Sequence, residues 1–270
     1  PPAADLSFLD TVDLLEELLR PLPTLREVPR GAQVPLAELT AGLCEAAATA
    51  PRNSLEAERA WVLLLLHHRL LLRAPTTTAA GGRARRRDQQ ELVLDRLSRA
   101  GRGDWASLLE EARGQAAAAA AHRATAGTAE GLTGAALAGE VIRRVSLGEL
   151  GRASQLLAQA KVAAPSPEVR EELQSLLVTL AQERGLLAAD PDAAEEVPAR
   201  ILAKELRKAP RSSGPGPSGS RFTHWQACQH SQGAMAALGK VVDRLASGQV
   251  PPGAAAGLAL TTLTPLRKKN

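Results

Sequence analysis

Three groups of side chains have types and spacing suited to chemistry. His224, Cys228 and His230 give an H-x₃-C-x-H pattern that places His224 and Cys228 on one helical face, as some zinc ligands are. A structural zinc site takes about four ligands. No fourth lies nearby, and packing and capping around Trp225 account for these residues without a metal. His67-His68 interrupts a leucine tract. With no nucleophile or orienting carboxylate recognisable beside it, the pair is expected to be structural and partly buried, not a catalytic base. Arg83, Arg85, Arg86 and Arg87 form a short basic cluster. It has two readings. One is contact with RNA or DNA phosphates, each adding salt-dependent affinity. The other is a solvated polar connector or a nuclear-import tract.

Other candidates are weaker. Trp105 and Trp225 could stack on bases, as aromatics of single-strand binders do, but both sit at helical spacing from Leu or Val and are expected to anchor core. The run Gly214-Pro215-Gly216-Pro217-Ser218-Gly219 is not a phosphate loop. It lacks the closing Gly-Lys-Ser/Thr, and its prolines remove amide donors. Ser212, Ser213 and Ser218 lie outside any Gly-x-Ser-x-Gly elbow, so no hydrolase site is read.

The scaffold for these groups follows from composition. The chain has 270 residues, enough for one large domain or two small ones. Hydrophobic residues make up 44% but aromatics only 2%, so the core must be Leu, Val and Ala. Ala and Leu are strong helix formers, and strand formers are few. The net charge of +4 permits weak attraction to nucleic acid and no more. Cys44 and Cys228 are far apart, and reduced thiols in a cytoplasmic or nuclear protein are expected. The opening Pro1-Pro2-Ala3-Ala4-Asp5 has no signal-peptide pattern, and the single Met is Met235, so the sequence is expected to be an excerpt. The longest apolar stretch, 61–72, is short and carries Arg69, so no membrane span is expected.

Periodicity places the elements. Helices are expected over 8–19, stopped by Pro21 and Pro23, and over 36–48, started by Pro35. A third, capped by Ser54, runs through Trp61 to about Arg73 and is apolar nearly all round, hence central. Residues 76–87 read as a polar, flexible connector, with helices resuming at Asp88, breaking at Gly101 and Gly103, and restarting at Trp105 into the alanine tract 116–121. A loop is expected over 124–134, then short antiparallel helices over 141–147, 149–160 and 167–185, then an amphipathic helix over 198–209. Residues 210–219 read as an ordered, packed turn, because Phe222 and Trp225 follow immediately. A helix from about His224 to Ser247, breaking at Gly233, should end before Pro251-Pro252, and 258–266 alternates as a strand would.

The last sixty or so residues resemble the start of the reverse transcriptase domain of non-LTR retroelements. The residues that carry the resemblance are Arg211-Ser212-Ser213-Gly214-Pro215-Gly216-Pro217-Ser218-Gly219, Arg221-Phe222-Thr223-His224-Trp225, the break Val250-Pro251-Pro252, and Leu266-Arg267-Lys268-Lys269. Ser218 stands where many relatives carry Asp. Upstream, residues 60–66 with the Arg-rich segment, 103–109 and 148–153 are similar to the helical leader of one branch of these elements. The resemblance implies RNA-templated DNA synthesis by two-metal chemistry, in which paired aspartates hold Mg²⁺. It places those aspartates downstream of this chain, so no Asp here inherits a metal role and the chain should be inactive alone. Arg267, Lys268 and Lys269 then fall near the start of the fingers, where basic residues contact template or nucleotide phosphates.

The resulting expectation is a mainly α chain with a short β element near its C-terminal end, the truncated fingers of a reverse transcriptase. Its parts are a helical segment 1–74, a basic linker 75–87, a helical region with hairpins 88–195 and the start of the polymerase domain 196–270. Weak, salt-sensitive RNA or DNA binding is expected at Arg83, Arg85, Arg86, Arg87, Lys208, Arg211, Arg221, Arg267, Lys268 and Lys269. No cofactor is expected in this fragment, Mg²⁺ belonging to the full-length enzyme, and the pattern specifies no oligomeric state. The competing class is a non-enzymatic, all-helical interaction or scaffold module with no affinity for nucleic acid.

Overall fold

The computed structural model describes residues 5–75, 82–125, 134–146, 197–210 and 214–259, with single helical positions at Ala153, Pro167, Glu171 and Ser175. The described residues are mainly helical. The helices are α1 (Leu14–Leu19), α2 (Gln33–Thr49), α3 (Leu55–Leu71), α4 (Gly82–Gly101), α5 (Trp105–Thr125), α6 (Gly134–Ser146), α7 (Ala199–Lys208), α8 (Phe222–Trp225), α9 (Gln232–Ala246) and α10 (Pro252–Ala259). The only strand-like pairing among the described residues is an isolated antiparallel bridge between Thr24 and Arg73. The short β element is therefore not found where it was expected to begin. Leu258 lies in the last turn of α10, in which Pro252 occupies the first turn, a position where proline's missing N–H has no helical partner to lose. Residues 260–266 lie outside the described residues.

Helix α3 organises the molecule. Ser54 caps it, accepting from the Ala57 amide at 3.1 Å. Its apolar belt has two sides. Leu63, Leu66 and Leu70 join a core with Leu18, Leu36, Val93, Leu97, Trp105 and Leu108. Ala60, Trp61 and Leu64 join a second core with Ala37, Cys44, Leu206, Met235, Leu238 and Val241. A helix wetted on neither side has to be apolar all round. Trp61 is 1% exposed and spends its only polar group on the Ala47 carbonyl, 3.0 Å away.

Three boundaries differ from the sequence reading. The expected helix 8–19 is divided, because Asp13 turns extended and accepts from the Glu16 amide at 3.0 Å, capping a new helix in mid-segment. Helix α4 starts at Gly82, so Arg83, Arg85, Arg86 and Arg87 lie within it and not in a connector. Arg and Ala are good helix formers, and an Arg87–Glu91 ion pair of 2.9 Å supports the early turns at helical spacing. In the C-terminal unit the break falls at Ser231, which caps α9 at the Ala234 amide, two positions before Gly233.

The C-terminal half of α3 needs donors for its last carbonyls, which are buried. Arg96 and Arg73 supply them, while Arg69 bonds carbonyls outside the helix. Arg96 donates to the carbonyls of Leu71 at 3.3 Å and Arg73 at 2.8 Å. Arg73 donates to those of Leu70 at 2.7 Å and Leu108 at 3.3 Å, and pairs with Glu111. Arg69 reaches the carbonyls of Leu18, Arg20 and Pro217. The third contact binds the N-terminal helices to the C-terminal unit.

Candidate functional site

The expected basic residues are not gathered into one site. Arg83, Arg85 and Arg86 are carried by the first turns of α4. Arg87 is exposed there but already holds Glu91. Lys208 ends α7, exposed, with Glu205 at 3.0 Å. Arg221 is 3% exposed, so its guanidinium lies in the protein and not on a surface that a phosphate reaches. Arg211, Arg267, Lys268 and Lys269 lie outside the described residues.

What the structure does bring together is the proline–glycine turn and the two halves of the molecule. The turn closes with the Gly219 amide donating to the Gly216 carbonyl at 2.9 Å. Gly219 has φ +72°, in the left-handed region that favours glycine. A methyl group there would come within 2.8 Å of Thr24 Cγ2 and 3.4 Å of Arg69 Cβ. Thr24 Oγ1 donates to the Gly219 carbonyl at 2.7 Å, Arg69 Nη1 donates to the Pro217 carbonyl at 3.0 Å, and Thr223 Oγ1 donates to the Arg26 carbonyl at 2.6 Å. Over residues 214–219 the turn is ordered and packed as expected, while residues 211–213 of that expectation lie outside the described residues.

Beneath the turn lie three buried imidazoles. His67 and His68 of α3 have ring centroids 3.8 Å apart, and His68 and His224 of α8 are 5.2 Å apart. Trp225 meets His68 edge-on at 4.6 Å. All three histidines are fully buried. The neighbours set two of the tautomers. At His224, Nδ1 faces the Arg221 amide at 3.3 Å and must accept, so Nε2–H donates to the Leu25 carbonyl at 2.7 Å. At His67, Nδ1 faces the Leu64 carbonyl at 2.6 Å and must donate, so Nε2 accepts from Thr40 Oγ1 at 3.3 Å. His68 Nδ1 lies 3.0 Å from Ser220 Oγ, and its Nε2 has no partner.

These rings are neutral. Burial pulls His67 and His224 down to about 4, and pulls His68 well below its ordinary value, with the neighbouring rings adding to the shift. Cys228 is buried nearby, its thiol pushed up to about 12 by desolvation, and Cys44 is pushed up further for the same reason. Both are therefore protonated and unreactive at neutral pH. The H-x₃-C-x-H pattern does not converge, since His230 is exposed while His224 and Cys228 are buried. Among the described residues, no group of three His, Cys, Asp or Glu is placed to hold a metal ion. No described helix is long and apolar enough to cross a membrane.

Sequence reasoning missed the meeting of His68 with His224, which are far apart in the chain. The one available signal was a His-His-Arg run inside the leucine-rich half of a helix that is apolar nearly all round. No protein-family model matches this chain, and neither a curated protein nor a solved structure matches it.

Proposed function

We propose that this chain is the helical leader of a non-LTR retroelement-type reverse transcriptase, together with the first elements of its fingers. It is inactive alone and serves RNA-templated DNA synthesis within the full-length enzyme, in the cytoplasm or nucleus. The reading is supported by the seat of residues 214–225, the segment that carries the resemblance. Thr24 of the segment between α1 and α2, with Arg69 and His68 of α3, holds it by hydrogen bonds to Gly219, Pro217 and Ser220. A leader whose task is to fix the start of the fingers needs such a clasp.

The Mg²⁺ of the polymerase reaction does not fit the residues described here, which offer no suitable acidic cluster. The resemblance places the paired aspartates beyond Asn270, and no catalytic step is assigned to this chain. Its part is to bind RNA or DNA weakly, through the basic start of α4 and the exposed Lys204, Arg207 and Lys208 of α7.

Fluorescence anisotropy with a labelled single-stranded RNA tests this. Affinity should fall steeply between about 50 and 200 mM salt, and the triple change Arg83→Ala, Arg85→Ala and Arg86→Ala should flatten that slope. Absence of binding at about 50 mM salt would overturn the nucleic-acid role.

A second reading has its own support. Arg87 and Lys208 each hold a glutamate of their own helix, and Arg221 is buried, so three of the expected contacts are already engaged or enclosed. That favours a non-enzymatic, all-helical interaction module, for which the same titration gives no binding at any salt.

A further inference from the structure

The imidazole cluster sits in the seam between α3 and the segment 219–225, and it is built to hold no charge. Each element packed around it contributes what faces the rings. Helix α3 brings His67, His68 and the neighbouring Arg69, whose guanidinium is turned to the carbonyls of Leu18, Arg20 and Pro217. Helix α2 brings the Thr40 hydroxyl and the neutral Cys44 thiol. The segment 22–28 brings the carbonyls of Leu25 and Arg26. The C-terminal unit brings Ser220, Arg221, His224 and Cys228. Among the described residues, the charges acting on the three rings are their own, when protonated, and that of Arg221, which acts on His224. No carboxylate among the described residues acts on any of them.

The hydrogen bonds make the same point atom by atom. A proton arriving at His224 must take Nδ1, because Nε2 already carries the hydrogen given to Leu25. It would then stand against the Arg221 amide hydrogen, and the bond that caps α8 becomes a donor facing a donor. A proton on His68 Nε2 finds no acceptor. Either proton adds a charge to a buried site where no carboxylate among the described residues acts on the rings.

We propose that His67, His68 and His224 form a proton-operated latch, whose protonation opens the seam between α3 and residues 219–225 while α9 stays packed on α2. The opening is local because α9 is held by different forces. Its Ala234, Met235, Leu238 and Val241 are buried against Ala37, Cys44 and Ala47 of α2 and Trp61 of α3. The segment 219–225 depends on the hydrogen bonds of Thr24, Ser220, Thr223 and His224, and its Phe222 is 45% exposed. A pH drop thus frees the proline–glycine turn and Trp225 without melting the helical body. This holds whichever function the chain serves.

Hydrogen exchange read by mass spectrometry tests the latch on the whole chain. Labelling is done at about pH 7 and about pH 5, with times scaled for the intrinsic exchange rate. The amides of Gly219, Arg221, His224 and Trp225 are hydrogen-bonded in the closed seam. Peptides spanning 216–225 should lose protection about tenfold or more on acidification, while peptides from 234–245 keep theirs. The double change His68→Gln and His224→Gln supplies an uncharged donor and acceptor in each place and should abolish the selective loss. Equal loss in both regions, no loss in either, or the same loss in the double variant overturns the proposal. If the double variant does not fold, Ser220→Ala replaces it. Removing the partner of His68 Nδ1 should let the seam open at a higher pH, and an unchanged opening pH counts against the latch.

Discussion

Thr24 and Gly219 meet at a single buried point, where the threonine hydroxyl donates to the glycine carbonyl at 2.7 Å and its methyl fills the space that a Cβ at position 219 would need. The two residues fix each other. Gly219 supplies a left-handed backbone with no Cβ, and Thr24 closes on the surface this leaves bare.

Gly219→Ala should destabilise the fold by more than the ~1–2 kcal/mol of a left-handed non-glycine residue, because the added methyl also meets Thr24 Cγ2. Thr24→Val keeps the shape but strands the Gly219 carbonyl, for an expected loss of about 1–3 kcal/mol. Urea unfolding followed by far-UV circular dichroism reads both. The double mutant should lose less than the sum, since the two changes damage one contact. Strict additivity would count against the coupling.

Arg69→Met removes the donor to three buried or half-buried carbonyls while keeping much of the side chain's length. A loss of about 3 kcal/mol is expected. Arg69→Lys should not recover it, because one ammonium cannot reproduce a planar fork that serves Leu18, Arg20 and Pro217 together. Burial pulls Arg69 down only to about 10, so the wild-type contribution should be constant across neutral pH. Full stability in the lysine variant would show that the fork geometry is unimportant.

Global stability should fall with acid in a defined window. His67 and His224 have folded values of about 4 against an ordinary 6.5. Above 6.5 both folded and unfolded chains leave them neutral, and there is no penalty. Below it the unfolded chain takes up protons that the folded chain refuses, and stability drops until the folded values are reached. Each buried ring contributes at most ~1.4 kcal/mol per pH unit in that window. Urea midpoints measured from about pH 7 to about pH 4 should therefore decline, with a shallower slope in His67→Gln. A flat profile would mean the rings already titrate normally in the fold.

Trp61 sits between α2 and the second core, so Trp61→Ala should cost about 3–5 kcal/mol and Trp61→Phe distinctly less. The Phe variant isolates the indole N–H to Ala47 carbonyl bond, a net effect of about 1 kcal/mol. Thermal melts order the three proteins, and an Ala variant as stable as wild type would place Trp61 outside the load of the core.

How far the sequence could be read varied with how local the cause was. Helix α3 was legible because its cap and its all-round apolar surface are properties of neighbouring residues. The ordered turn was legible because aromatic anchors follow it directly. The division at Asp13 was hidden, because an aspartate that caps a helix and one that decorates it look alike in a periodic apolar segment. Pro252 reads as a stop, although proline serves equally at the first helical turn, and α10 then packs so closely that a Cβ at Gly257 would come within 2.8 Å of a Leu14 methyl. The arginine run at 83–87 was read by charge, while its helical propensity decided the outcome. The seam was not legible at all. His68 and His224 come from separate elements, and no spacing rule connects them.

Helices α2 and α3 present the apolar surface on which residues 197–210 and 232–259 rest, and those residues are made long after them. Between completion of α3 and of α10, a ribosome working at roughly 5–20 residues per second needs about 10–40 s. For that interval Ala37, Ala47 and Trp61 have no cover from α7, α9 or α10. The nascent chain therefore carries a sticky patch throughout that interval, which makes it a natural client for chaperones that hold exposed apolar helices. Variants that slow elongation across the intervening region should lower soluble yield without changing the stability of the finished protein.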